Sequence, residues 1–204
     1  MSRNLLIATR NNKKKLELLE ILKDLDFNLL SLNDIPPVPD VEEDGLTFSE
    51  NAVKKAVLTA KASNILTLAD DSGLVVNALD GAPGVFSARF AGPQADDEQN
   101  NQKLLQALQN IADHERTARF VCVIALADPA GTVQTVSGSC TGMIAKTRQG
   151  EAGFGYDPLF VPDGFDKSFA ELDPSVKNKI SHRGQALLKI KPILEEILAM
   201  EAKT

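Results

Sequence analysis

The amino-acid sequence predicts an α/β protein with helices packed on a mixed sheet. Three observations carry this expectation. Short apolar runs alternate with stretches of helical period through the first third of the chain, in the order β, α, β, α. The middle is rich in β-prone runs. No repeat, low-complexity tract or flexible linker divides the 204 residues, so 1–204 reads as a single domain.

The first strand is "NLLIA", a continuous apolar run of the kind a buried strand needs. "NNKKKLELLEILKDL" follows, where Leu18, Ile21, Leu22 and Leu25 fall at helical spacing and Asn11 or Asn12 suits the N-cap. "FNLLSL" reads as a second strand, and the prolines and acids of "NDIPPVPDVEEDG" read as a loop. Phe48, Ala52, Ala56 and Ala60 recur at i+4 in "TFSENAVKKAVLTAKAS", the second helix. A strand from Ile65 to Ala69 is expected to end in an acidic turn, "DDSG", before another strand, "LVVNAL". "GAPGVFSARFAGPQADDEQN" reads as a loop and "NQKLLQALQNI" as a helix. "ARFVCVIALAD" and "GTVQTVSGSCTGMIA" form a hairpin through "DPAG". A glycine-aromatic loop, the polar stretch "DPSVKNKISHRG" and a final helix, "QALLKIKPILEEILAM", complete the chain.

The composition excludes several classes of function. A net charge of −6 argues against a broad nucleic-acid footprint, which shows as a basic face, yet leaves room for a small phosphate ligand in a local basic site. No apolar stretch approaches the roughly 18 to 20 residues of a membrane span, and the N-terminal apolar run is too short for a secretory signal. A cytoplasmic protein is expected, with no membrane and no nucleic-acid partner. Cys122 and Cys140 lie in apparent strands without a CxxC motif, as buried free thiols do.

Five stretches carry chemistry. "ATRNNKK" joins a strand to a helix start, where free backbone N–H groups and the helix dipole favour an anion, and where the lysines are unfavourable without one. "VPDVEEDG" sets Glu42, Glu43 and Asp44 before a helix, and "ADDSGL" holds Asp70 and Asp71. Carboxylates gathered from two loops suit Mg²⁺ bridging protein and phosphate, and the absence of nearby histidine or cysteine favours a hard metal over zinc. In "GEAGFGYDPLF", glycines let backbone approach a flat ligand on which Phe154 or Tyr156 stacks. "KNKISHRGQAL" gathers Lys177, Lys179, His182 and Arg183 ahead of a helix, a set suited to anions and base edges. Taken alone, these stretches are in turn compatible with a solvated lysine run, acids favourable to a helix dipole, an Asx turn, a tight turn with a core aromatic, and a surface loop.

Taken in order, "ATRNNKK", "EEDGLTFSENAVKKA", "ADDSGL", "GAPGVFSARF", "AGFGYDPLF" and "SHRGQAL" resemble the Ham1 family of inosine/xanthosine triphosphate pyrophosphatases, from about Ile7 to Leu188. The resemblance implies an elongated two-lobed α/β fold around a long mixed β-sheet with flanking helices, a central substrate cleft and a homodimer. It implies a Mg²⁺-dependent hydrolase that converts ITP, dITP and XTP to the monophosphate and pyrophosphate, cleansing the nucleotide pool of deaminated purines. Carried onto this chain, Thr9, Arg10, Asn11, Asn12, Lys13 and Lys14 form the triphosphate loop, and Lys55 is a second cleft lysine. Asp71 is the catalytic acid, Ser72 lies beside the substrate, and Asp71 with Glu43, less securely Glu42, faces the metal. Phe154, Gly155, Tyr156, Asp157, Lys177, His182 and Arg183 match positions that hold the nucleoside. Many members read T-G-N where this chain has Thr9-Arg10-Asn11, so the extra cation either points outward or adds a phosphate contact. A nucleotide sensor, a nucleic-acid-binding protein, and a pyrophosphatase acting on pyrimidine or modified nucleotides are the competing readings.

Overall fold

The computed structural model describes residues 3–201. Six strands form one mixed sheet: β1 (Arg3–Ile7), β2 (Phe27–Ser31), β3 (Leu66–Val76), β4 (Thr117–Ala127), β5 (Val133–Ile144) and β6 (Phe160–Pro162), in the order β2-β1-β3-β4-β5-β6. β1 runs parallel to β2 and β3, and β5 pairs antiparallel with β6. The helices are α1 (Asn12–Leu22), α2 (Phe48–Ser63), α3 (Asp97–Ala107), α4 (Pro174–Ile180) and α5 (His182–Glu201). The chain divides into two compact units. Unit 1 holds the residues up to Asp71, 122–138 and those from Arg183 on, and unit 2 holds 72–121 and 139–182.

In unit 1 the parallel strands are covered on both faces, which is why "LLI" of β1 is apolar without alternation. On one face Leu18 and Leu22 of α1 and Ala186, Leu187, Ile190 and Leu194 of α5 pack on Leu5, Ile7, Leu66, Leu68 and Ile124. On the other, Ala52, Ala56 and Ala60 of α2 meet Ala8, Ala69, Ala125 and Ala127. Small side chains on both partners let this helix lie close to the sheet. Its start is set locally, because Thr47 and Glu50 form a reciprocal capping box. Asn11 caps α1 and accepts from the N–H groups of Lys13 and Lys14.

Unit 2 is organised around aromatic rings. Phe120, Phe160 and Phe169 pack with Leu74, Val76, Leu104, Tyr156 and Leu159. The Phe120 and Phe160 rings meet edge to face at 4.8 Å. Among the described residues, no helix is long and apolar enough to cross a membrane.

Several expectations change: β3 ends at Val76, short of the end of "LVVNAL", and α3 starts at Asp97, inside the stretch read as a loop. The acidic stretch is no turn: β3 runs unbroken from Leu66 to Val76, with Asp70, Asp71, Ser72 and Gly73 in its interior. The charges are tolerated there because their partners come from elements remote in sequence, described below. The polar stretch "DPSVKNKISHRG" is not a plain loop either. Asp173 accepts from the Ser175 N–H, Pro174 opens the first turn, and α4 follows for seven residues. That length is too short for a helical period to show.

Cys122 and Cys140 are both free and buried. Burial pushes their thiols up to about 12 and about 11, respectively. Neither thiol is therefore expected to react with a disulfide reagent at pH 8 until denaturant opens the fold, and rapid labelling of the native protein would contradict this.

Candidate active site

Successive side chains of a strand point to opposite faces, so Leu68 and Asp70 share one face of β3 while Ala69 and Asp71 share the other. The two neighbouring carboxylates consequently enter different surroundings.

Asp70 enters the face covered by α1 and α5 and is 1% exposed. Lys14 Nζ lies 3.1 Å and Arg183 Nη2 3.2 Å from its Oδ2. Arg183 also donates from Nη1 to Glu17 at 2.5 Å. Burial opposes the charge on Asp70, but Lys14, Arg183 and Lys55 outweigh it and hold the carboxyl well below its ordinary range. Burial likewise opposes the charge on Arg183, and the facing Asp70 and Glu17 hold that guanidinium ionised.

Asp71 enters the α2 face and is 6% exposed. Asn51 donates from Nδ2 to Asp71 Oδ2 at 3.1 Å and accepts from the Gly45 N–H at 2.8 Å. One amide therefore ties the acidic loop to the strand acid. A Cβ on Gly45 would lie 2.7 Å from Asn51 Oδ1, so the glycine of "EEDG" permits the contact. Glu43 forms a 2.5 Å ion pair with Lys55 of α2. Burial first, and then the charge of Glu43, pushes the Asp71 carboxyl upward. Burial opposes the charge on Lys55, but Asp70, Glu43 and Asp71 hold its ammonium above the usual range.

The first loop differs from expectation in one respect. Its N–H groups do not stand open: Asn11 Oδ1 takes those of Lys13 and Lys14, and Thr9 Oγ1 accepts from Asn11 N. Asn12 and Lys13 are exposed in the first turn of α1. Arg10 points outward and pairs with Asp40.

In unit 2, Asp157 Oδ2 accepts from the Phe154 N–H at 2.9 Å and from Lys177 Nζ at 2.7 Å. Lys177 also lies 5.1 Å from the centre of the Phe154 ring. A Cβ on Gly153 would lie 2.1 Å from Asp157 Oδ2, so the loop closes only around a glycine. Of the two aromatics considered for stacking, Tyr156 belongs to the core, its hydroxyl donating to Ser87 O. Phe154 is only half-buried. His182 stacks on Phe120 at 4.6 Å within the aromatic cluster.

Unit 1 thus brings together Lys14, Glu43, Lys55, Asp70, Asp71 and Arg183, and unit 2 brings together Phe154, Gly155, Asp157 and Lys177. Glu42 is exposed, whereas Glu43 is half-buried and its charge acts on Asp71. Ser72 follows Asp71 in β3 and is partly exposed. Sequence reasoning did not single out Asn51, Glu17, Asp97 or Asn101. For Asn51 a signal existed: an amide directly beside the alanine stripe of the helix.

Among the described residues no group of three or more His, Cys, Asp or Glu surrounds a metal position. The pair Asp71 and Glu43 nevertheless fits a magnesium ion, which uses one or two carboxylates and keeps its remaining positions for phosphate and water. Burial and the neighbouring charge of Glu43 both raise Asp71, and a cation held between the two carboxylates would offset both.

A mixed sheet flanked by helices, with carboxylates buried in its third strand and answered by lysine and arginine, defines an α/β protein with a charged site in unit 1. The chain belongs to the Ham1 family, whose profile matches residues 5–193. It is 52% identical over 193 residues to a dITP/XTP pyrophosphatase of Desulforamulus reducens, covering 95% of this chain and 96% of that one. A dITP/XTP pyrophosphatase of Geobacter sulfurreducens is also 52% identical, over 92% of this chain and 94% of its own. Among solved structures, a HAM1 protein from Coxiella burnetii superposes with a TM-score of 0.87 at 44% identity, over 95% of this chain and 99% of that one.

Proposed function

We propose that this protein is a magnesium-dependent pyrophosphatase that hydrolyses dITP, ITP and XTP to the monophosphate and pyrophosphate, clearing deaminated purines from the nucleotide pool. The observation that supports it most is the buried Asp71 beside Glu43 and Lys55. The dITP/XTP pyrophosphatases of similar sequence support the choice of substrate. The reading takes residues 1–204 as one domain of a cytoplasmic homodimer.

Asp71 and Glu43 would hold the magnesium ion. When bound, it supplies polarisation of the phosphate oxygens. Asp71 accepts the proton of the water that attacks the α-phosphorus, a general-base role open to a carboxylate. Lys14 and Lys55 stabilise negative charge that grows on the phosphate oxygens, and the segment Thr9 to Lys14 holds the triphosphate. Phe154 stacks on the base, and Asp157 and Lys177 order that loop.

The test is a panel of nucleoside triphosphates incubated with Mg²⁺ and the protein. dITP is expected to yield dIMP and pyrophosphate in equal amounts. Orthophosphate with a diphosphate product would move the attack to the γ-phosphorus and refute the reading.

A further inference from the structure

The loop that carries Phe154 is flanked by two glycines in the left-handed region, Gly153 at φ +78° and Gly155 at φ +60°. Glycine has the largest backbone freedom of any residue, so the order of such a loop depends on the contacts its backbone makes. One contact is internal: Asp157 takes the Phe154 N–H. The next two come from α3. Asp97 Oδ2 accepts from the Gly155 N–H at 2.8 Å, and Asn101 Nδ2 donates to the Gly155 carbonyl at 2.8 Å. Both peptides that flank Gly155 are therefore gripped by side chains one helical turn apart, and the Asn101 amide also donates to the Asp97 carbonyl. Phe154 sits between two anchored N–H groups, its own and that of Gly155.

Asn101 shows that this grip has a cost. Its side chain is 1% exposed, and its Oδ1 is buried without a hydrogen-bond partner among the described residues. A buried polar atom left without a partner is unfavourable, and an apolar residue of similar size would avoid it. What the amide supplies that a leucine cannot is the N–H donated to Gly155.

We propose that Asp97 and Asn101 are positioning residues for the nucleoside end of the site, clamping the Gly155 peptides so that the Phe154 ring is held ready for the purine. This rests on the pyrophosphatase reading above, in which Phe154 meets the base. A clamp of this kind governs affinity for base-bearing ligands and leaves ligands without a base unaffected.

The experiment compares wild type, Asp97→Ala and Asp97→Asn, titrated by calorimetry with dIMP and separately with pyrophosphate. Asp97 is exposed, so the variants keep the fold, and thermal unfolding verifies this. Asp97→Ala is expected to weaken dIMP about tenfold, on the scale of one hydrogen bond to a charged group, and to leave pyrophosphate affinity unchanged. Asp97→Asn retains an acceptor for the Gly155 N–H and restores dIMP affinity to within about threefold of wild type. An Asp97→Ala protein that binds dIMP as wild type does, or that loses dIMP and pyrophosphate equally, overturns the clamp. Wild-type release of pyrophosphate from dITP, measured alongside, judges the pyrophosphatase reading separately.

Discussion

Asp71→Asn is expected to lower the turnover of dITP by about two orders of magnitude or more, because it removes both the proton acceptor and half of the carboxylate pair. The protein should lose no stability in the process. Burial and the charge of Glu43 raise the Asp71 carboxyl, so in the metal-free fold its ionised form is disfavoured. For a carboxyl raised on folding, stability is greatest at low pH, where both states are protonated, and declines as pH rises from the unfolded value through the folded one. The ionised wild type carries that penalty, and the neutral amide does not. Asparagine keeps the size of the side chain and retains an oxygen for the Asn51 amide. Initial rates of pyrophosphate release, together with thermal unfolding without added metal, decide the matter. A variant that keeps most of the wild-type rate would remove Asp71 from the chemistry, and one that unfolds would mark the residue as structural.

Arg183→Ala should have the largest effect on stability. The guanidinium is 2% exposed and divides its two terminal nitrogens between Glu17 and the fully buried Asp70. Breaking a buried ion pair by removing one partner typically costs about 3–5 kcal/mol, since the remaining charge is left in the interior. Lys14 stays beside Asp70, which places the expected loss toward the lower end of that range, at about 3 kcal/mol in denaturant unfolding. These contacts also bear on the expectation drawn from the resemblance, that Arg183 helps to hold the nucleoside. An arginine engaged with two carboxylates acts on the reaction by holding Asp70 and, through it, Lys14. Its removal should therefore lower kcat/KM for dITP and dATP to similar extents in the folded protein. A much greater loss for dITP than for dATP would show that Arg183 reads the base directly.

Interactions between near neighbours in the chain were legible without the structure. Asn11 caps α1, and Phe48 with the alanines of α2 lies at i+4 spacing, because a cap and a helical stripe depend only on residues a few positions apart. The two thiols read as buried and free because each stands in an apolar β-prone run. The ordered motifs from "ATRNNKK" to "SHRGQAL" carried the family resemblance, and with it the mixed sheet flanked by helices.

The acidic strand lay beyond that reach. Two consecutive aspartates disfavour a strand by local preference, and "DDSG" has the composition of a turn. What keeps them in β3 is Lys14 from α1, Arg183 from 113 positions along the chain, and Asn51 from α2. The same holds for Tyr156, whose hydroxyl finds Ser87, and for His182, whose ring finds Phe120. By itself, then, the sequence determined most of the elements, the cap of α1 and the kind of chemistry present. Only the tertiary structure decided which acid is locked in ion pairs and which stays basic, because a buried charge takes its character from the charges packed around it, and those come from distant parts of the chain.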